Sequence, residues 1–164
     1  MAQSDYLLVF DPQVKGESRD HQYKDAIEID SWSFTGHNTS THGTGGGGGA
    51  GKVVLGDLQL QKKAVDLASA TLFERLCDGK HMKTATLHCR KKSGDQALEF
   101  LELKLTDVTI SSISLGGHGS ASGVSESVSL GFSKIEYKYT EQKDDGTKGA
   151  GVNVGWDLKQ NKAA

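Results

Sequence analysis

Apolar and polar residues alternate along most of this chain, a pattern that predicts β-strands because successive side chains of a strand point to opposite faces. Between the alternating segments lie turn-forming clusters rich in glycine, serine and aspartate. The predicted strands cover residues 5–10, 26–35, 58–61, 83–92, 97–105, 108–115, 124–139 and 152–158. The sequence is therefore predicted to be mainly β.

One segment, residues 69–79, has a helical period instead. Ser69 is suited to accept a hydrogen bond from a free N–H at the first turn, and Gly79 is suited to the left-handed position that follows a helix. The apolar residues recur at positions i, i+1, i+4 and i+5, which predicts one buried face. That face consists of Leu72, Phe73, Leu76 and Cys77.

Taken together, these patterns predict a β-sheet structure capped by one short α-helix. The 164 residues are enough for one domain, residues 1–164, with a sizeable core. In the 26–35 segment the apolar positions change faces midway, as in a strand that bends or contains a bulge. A long glycine-rich loop, residues 36–52, interrupts the strands, and loops of this length are usually functional or disordered.

Composition and charge narrow the possible functions. The formal net charge is −2 and the isoelectric point is near 6.3, so no overall electrostatic signature for nucleic acid or an anionic membrane is present. The N-terminus lacks the basic and apolar regions of a secretory signal peptide. We interpret the two cysteines, Cys77 and Cys89, as buried thiols in a reducing compartment.

The catalytic and ligand-binding motifs that the sequence suggests are incomplete. Residues 46–53 nearly fit a phosphate-binding loop, but Val53 replaces the metal-binding hydroxyl and no helix is predicted to follow. Residues 119–123 place Ala121 where a serine nucleophile would stand. A zinc set is also disfavoured, because adjacent strand residues point to opposite faces; its members would be Cys77, His81, His88 and Cys89. The sequence therefore predicts no catalytic residue, no metal site and no cofactor.

The segment 124–133 has two contrasting faces. Val128, Leu130 and Phe132 alternate with a face composed only of serine and glycine, which indicates a core side and a smooth polar side. We interpret the polar side as the lining of a lumen or as a seam between subunits. Its candidate residues are Ser125, Ser127, Ser129 and Ser133.

Six short motifs, in this order along the chain, resemble those of the Hcp (haemolysin-coregulated protein) family. They lie at residues 15–18, 27–33, 64–69, 77–82, 105–112 and 126–135. Each motif is weak alone, but six in register are specific, and the resemblance extends from about Tyr6 to Leu158.

The resemblance implies a compact β-barrel of two packed antiparallel sheets with one short α-helix. It also implies a structural subunit of the inner tube of bacterial type VI secretion. Such subunits form homohexameric rings that stack into a hollow tube, which carries a spike protein at its tip, is propelled by a contractile sheath and holds effector proteins in its lumen. The implied location is the bacterial cytoplasm before firing, and afterwards the extracellular space or a target cell. The implied inter-ring or inter-subunit contact residues are His37, Asn38, Thr39, His42, Gly45, Gly46, Gly47 and Lys52.

Two other classes of protein remain open. A monomeric barrel that binds a small ligand or a glycan would hold Trp32 and Trp156 in a mouth or groove, whereas a tube subunit would hold them in its core or interfaces. An enzyme, such as a small hydrolase, would require a buried His–Asp pair in a cleft.

Overall fold

The structure, a computed structural model, describes residues 4–39, 51–93, 96–120 and 123–164. In these residues the chain is mainly β-strand, as predicted, and it contains one helix. The elements are β1 (Ser4–Asp11), β2 (Ile27–Ser33), β3 (Gly36–Asn38), β4 (Val53–Leu55), β5 (Leu58–Lys62), α1 (Leu67–Asp78), β6 (Met82–Ser93), β7 (Gln96–Gly117), β8 (Val124–Gly131), β9 (Lys134–Gln142), β10 (Lys148–Asp157) and β11 (Lys162–Ala163).

Nine of these strands form one antiparallel sheet in the order β11-β10-β9-β7-β6-β1-β2-β5-β8. An additional pairing between β7 and β8 closes six of them into a barrel. The other three strands extend from β7 as a wing, residues 134–163. β3 and β4 form a separate two-stranded sheet, so the ends of the predicted 36–52 loop are paired strands.

The 22-residue strand β7 belongs to both parts of the sheet. Its first half pairs with β6 and β9, and its second half pairs with β8. Asp107, with a left-handed φ of 56°, stands at the change of partner, and the register shifts again between Ile110 and Ser112. The two predicted strands at 97–105 and 108–115 are thus one bent strand.

The inward-facing apolar side chains of the strands fill the barrel interior. All twelve of its largest fully buried side chains are aliphatic: Leu8, Ile27, Ile29, Leu58, Leu60, Leu72, Leu87, Leu103, Leu105, Leu130, Val108 and Val128. Cys89 also lies in this core, as predicted. In the described part of the chain, no helix is long and apolar enough to cross a membrane.

The helix begins at Leu67, two residues before the predicted start, because Asp66 is its N-cap. The Asp66 side chain accepts a hydrogen bond from the backbone N–H of Ala68, and the hydroxyl of Ser69 accepts one from the backbone N–H of Asp66. This reciprocal arrangement is a capping box. Gly79, with φ 66°, ends the helix as predicted.

The buried face of the helix differs from the predicted one. Ala68 and Leu72 are buried, and Leu76 packs against the core. Phe73 is 59% exposed and Cys77 is exposed, so their predicted burial is wrong. The buried residues of the helix are four positions apart, and the first of them is an alanine. The prediction considered only large apolar side chains and therefore left this alanine out.

A buried ionic network joins the helix to two strands of the barrel. The ammonium of Lys62 on β5, whose side chain is 1% exposed, lies 2.5 Å from Asp66 Oδ1 and 2.6 Å from Glu126 Oε1 on β8. The Ser69 hydroxyl accepts from Lys62 at 2.8 Å and donates to Glu126 at 3.0 Å. Lys62 and Glu126 occupy inward-facing positions at or near the ends of β5 and β8. Their charges therefore lie at one end of the barrel interior.

We expect Lys62→Ala to destabilise the fold by about 3–5 kcal/mol, since it leaves two buried carboxylates without their cation. The measurement is the free energy of unfolding in urea at pH 7. Lys63→Ala removes the same charge from the exposed neighbouring position and should cost under about 0.5 kcal/mol. Equal losses in the two variants would contradict the role of the network.

Candidate functional site

An uncharged polar surface covers the outer side of four barrel strands. Strand pairing aligns its residues in two rows across β2, β5, β8 and the second half of β7. One row is Ser31, Gln61, Ser127 and Ser114, and the next is Ser33, Gln59, Ser129 and Ser112. We call these eight residues the Ser/Gln face. A shallow groove of about 240 Å³ crosses it.

Two of the four serines predicted for a polar face, Ser127 and Ser129, lie on the Ser/Gln face. Ser127 donates a hydrogen bond to Gln61 Oε1. Ser125 is exposed one step further along β8 and donates to the carbonyl of Gly116 at 3.3 Å. Ser133 lies elsewhere, in the turn after β8, where its hydroxyl and its N–H both donate to the Thr106 carbonyl.

The remaining six members of the face were missed by sequence analysis. Their serines and glutamines alternate with apolar residues just as those of β8 do, and this was the available signal. This alternation shows which residues share a face of one strand. It does not show that four strands distant in sequence lie side by side in the sheet.

The predicted contact loop begins and ends in the β3–β4 hairpin. His37 and Asn38 are exposed on β3. Beyond them, the Thr39 N–H and hydroxyl donate to the Lys52 carbonyl at 3.2 and 3.1 Å, and the Lys52 N–H donates to Thr39 Oγ1 at 3.1 Å. The other predicted contact residues lie outside the described residues: His42, Gly45, Gly46 and Gly47.

The wing has an exposed apolar face. Val152 pairs with Tyr139 and Val154 with Tyr137, so the four side chains share one side of the ribbon. They are between 45% and 60% exposed, which is unusual for adjacent large apolar side chains. Asn153, between the two valines, points to the opposite side. The outer edge of β10 pairs only with the two residues of β11 within the described chain.

Next to this apolar face lies a groove of about 830 Å³ between the wing and the β3–β4 hairpin. Phe34, Leu55 and Val154 contribute to its largely apolar lining. Trp156 also lines it, and the buried indole N–H has no hydrogen-bond partner among the described residues. The other tryptophan, Trp32, packs against the core and makes an edge contact with Tyr6.

A second cluster of charged residues holds residues 12–26 against the barrel. The guanidinium of Arg90, on β6, lies 2.7 Å from Asp20 Oδ2 and 3.8 Å from Asp5 Oδ2. The hydrogen bond from Arg90 lowers the pKa of Asp20 from 3.8 to about 2. The carboxylate of Asp20 also accepts from the backbone N–H groups of Gln22 and Tyr23, so it shapes its own turn.

An enzyme would require a buried His–Asp pair, whereas the pair found among the described residues lies on an exposed surface. His81 Nδ1 lies 2.6 Å from Asp107 Oδ1, and the two side chains are 61% and 31% exposed. Lys159 is also bound to Asp107, at 2.9 Å, and His81 and Lys159 together lower the pKa of Asp107 to about 2. A carboxylate bound by a histidine and a lysine on the surface is typical of a structural ion pair.

Comparison with known proteins identifies relatives of one kind. The family model described as "Type VI secretion system effector, Hcp" matches residues 6–139. The protein hcp1 of Pseudomonas aeruginosa is 38% identical over 152 residues, which are 92% of this chain and 93% of that protein.

Solved structures agree with these matches. One is titled a type six secretion system protein; it has a TM-score of 0.91, 27% identity, and coverage of 99% of this chain and 100% of the other. The crystal structure of Hcp1 from Salmonella typhimurium has a TM-score of 0.80 and 33% identity, with 100% of each chain covered. The resemblance indicated by the six motifs is confirmed.

We expect Asp20→Asn to lower the free energy of unfolding by about 1–2 kcal/mol at pH 7, a value reduced for the partial exposure of Asp20. Because the pKa of Asp20 is depressed in the folded state, the stabilisation is complete above pH 4 and disappears as the pH falls towards 2. Urea unfolding of both proteins between pH 7 and pH 2 measures this difference.

The matched control is Asp11→Asn, since the Asp11 carboxylate is 62% exposed and lies 4.0 Å from its lysine partner. Its effect should be small at every pH. A difference between wild type and Asp20→Asn that persists unchanged at pH 2 would contradict the role of this carboxylate.

Proposed function

The chain belongs to the Hcp family of type VI secretion, and we propose that it is a single-domain subunit of the inner tube of that system. Hcp proteins are secreted structural proteins and not enzymes. In this proposal six copies form a ring, and the rings stack into a hollow tube. The spike caps the tube, sheath contraction exports it from the cytoplasm, and the lumen carries effectors to the medium or a target cell.

The observation that carries the proposal is the combination of an uncharged Ser/Gln face with an unpartnered apolar wing. Val152 and Val154, each about 60% exposed, would cost free energy in water if left uncovered. A ring in which each copy covers the wing of the next removes this cost. The same two complementary surfaces then meet at all six seams, as head-to-tail cyclic packing requires.

The groove beside the wing supplies a complementary surface for such a seam. Its volume of about 830 Å³ would accommodate several aliphatic side chains of a neighbouring copy. The free outer edge of β10 adds unpaired backbone groups, which a neighbouring strand or loop would satisfy.

The Ser/Gln face suits a channel wall. Hydroxyl and amide groups offer both donors and acceptors, so passing proteins make replaceable hydrogen bonds there. Without charged side chains among the eight residues, the wall neither attracts nor repels a cargo protein by net charge. Without large apolar side chains, it does not hold cargo by burial. We propose that Ser125 extends this wall, whereas Ser133 does not belong to it.

The β3–β4 hairpin is the proposed contact between stacked rings. Hydrogen bonds between Thr39 and Lys52 define the base of the segment 40–51. The described contact residues of this hairpin, His37, Asn38, Thr39 and Lys52, lie at the side of the groove opposite the wing.

A second candidate function rests on the same groove. The ligand-binding hypothesis required both tryptophans in a groove; Trp156 lines this one, whereas Trp32 packs against the core. The lining is too apolar for a glycan but suitable for a small apolar molecule. In a ring the groove is covered, whereas in a ligand-binding monomer it stays open. The two functions therefore differ in oligomeric state.

We expect native mass spectrometry and negative-stain images to show a six-fold species with an open centre, and Val154→Asp to reduce it at least tenfold at micromolar concentration. A carboxylate there would be buried at the seam without a cation. Asn153→Asp adds the same charge on the other side of β10 and should leave the ring intact. Circular dichroism verifies that both variants fold.

A wild-type monomer at these concentrations would contradict the ring and favour the ligand-binding barrel. Rings that persist in Val154→Asp would place the seam elsewhere on the molecule.

We also expect Ser129→Cys to react more slowly with a bulky polymer maleimide in rings than in the Val154→Asp monomer, because the channel wall excludes the reagent. The experiment uses a Cys77→Ser background, since Cys77 is exposed. A small maleimide serves as the control and should label both states at similar rates. Equal rates with the bulky reagent would show that the Ser/Gln face does not line the channel.

A further inference from the structure

Three possible metal ligands meet on the outer face of the sheet, away from the assembly surfaces. His88 on β6 and Glu99 and Glu102 on β7 each offer one donor atom, and these atoms lie within 4.8 Å of one another. His88 Nδ1 is 2.6 Å from Glu99 Oε1, and the two side chains are only 14% and 25% exposed. The cluster is therefore partly shielded from water.

A bulge in β7 creates this cluster. Residues three apart in a regular strand point to opposite faces, so Glu99 and Glu102 would normally be separated by the sheet. Phe100 is an extra residue at the register shift, and this reverses the alternation. Glu102 consequently lies directly opposite His88, on the same side as Glu99.

Tyr23, from the 12–26 segment, orients the cluster. The phenol donates a hydrogen bond to Glu99 Oε2 at 2.6 Å, and the ring lies against the imidazole of His88 with centroids 4.5 Å apart. Burial and the nearby Glu99 raise the pKa of Tyr23 well above its usual value, so the phenol remains a donor. A hydrogen bond to the second oxygen of a ligating carboxylate is a common feature around metal ions.

Cations as well as carboxylates surround the cluster, since Lys138 and Lys148 line the pocket beside the two glutamates. Arg90, the nearest guanidinium, already binds Asp20 and Asp5. Glu102 makes no hydrogen bond or ion pair within the described residues, although Lys138 is its neighbour on β9.

We propose that His88, Glu99 and Glu102 bind one divalent transition-metal ion, with Zn²⁺ as the best fit. One imidazole and two carboxylates suit zinc, whereas Ca²⁺ and Mg²⁺ prefer more oxygen ligands. In a tetrahedral zinc site the ligand atoms lie about 3.4 Å apart, so side-chain rotation is enough to bring Glu102 into place. A pocket of about 60 Å³ beside the two glutamates leaves room for a water as the fourth ligand.

This site goes beyond the proposed function and does not depend on it. Bound zinc links β6 to β7 at the bulge. Since the ion binds the folded chain, saturating zinc raises the thermal midpoint by roughly 5 °C.

The test is calorimetric titration of ZnCl₂ into the full-length, tag-free Cys77→Ser protein, with thermal unfolding in parallel. We expect one ion per chain and a shift in midpoint that EDTA reverses. Glu102→Gln removes a ligand without breaking a hydrogen bond and should weaken binding at least tenfold, as should His88→Asn. Tyr23→Phe keeps all three ligands and should weaken binding by roughly tenfold through the lost orienting bond.

The controls are His81→Gln, which changes another histidine bound to a carboxylate, and Glu136→Gln, which removes a carboxylate from β9 of the wing. Both should bind zinc as the parent protein does. No saturable binding below millimolar zinc, or full binding in both Glu102→Gln and His88→Asn, would overturn the proposal. Loss of binding in His81→Gln would assign the ion to the other histidine.

Discussion

The architecture depends on one strand that pairs with different partners along its length. The first half of β7 lies between β6 and β9, and its second half closes the barrel against β8. Because the strand changes partner near Asp107, the sheet branches there. The barrel closes through one branch, and the wing forms the other. Each surface discussed above uses a part of this strand. The bulge at Phe100 forms the His–Glu cluster, the first half supports the wing, and the second half contributes Ser112 and Ser114 to the Ser/Gln face.

A buried charge network fixes what hydrophobic packing alone leaves adjustable. Aliphatic side chains tolerate small rotations of a helix on a barrel, but the Lys62 ammonium needs its carboxylate partners at hydrogen-bond distance. The network therefore sets where the helix begins and how β5 and β8 align at that end of the barrel. Since β5 and β8 carry half of the Ser/Gln face, the geometry of that polar surface is tied to an ion pair on the opposite side of the sheet.

Local patterns in the sequence were enough for the family, the position of the helix and most of the strand residues, because alternation and capping are properties of neighbouring residues. They did not show that 97–105 and 108–115 form one strand, or that the predicted strand 124–139 is divided into β8 and β9. These patterns failed where contacts between elements distant in sequence decide which residues are buried and which are neighbours. Phe73 is apolar and in phase with Leu72, yet the barrel meets the helix along Ala68 and Leu72. Glu126 breaks an apolar alternation but is buried, because Lys62 from another strand neutralises it. Likewise, nothing near Ser127 indicates Ser31 or Gln59 as neighbours. Sequence analysis considered His88 together with two cysteines, whereas an extra residue in β7 supplies glutamates instead.

The free edge and exposed face of β10 have a consequence for the chain before it meets its partners. Unpaired backbone groups beside Val152 and Val154 form a template on which any extended chain, including a misfolded copy, can add as a further strand. Newly made protein that waits alone is thus exposed to aggregation and to capture by chaperones or proteases. In the ring that we propose, a neighbouring copy covers this edge and so removes the template.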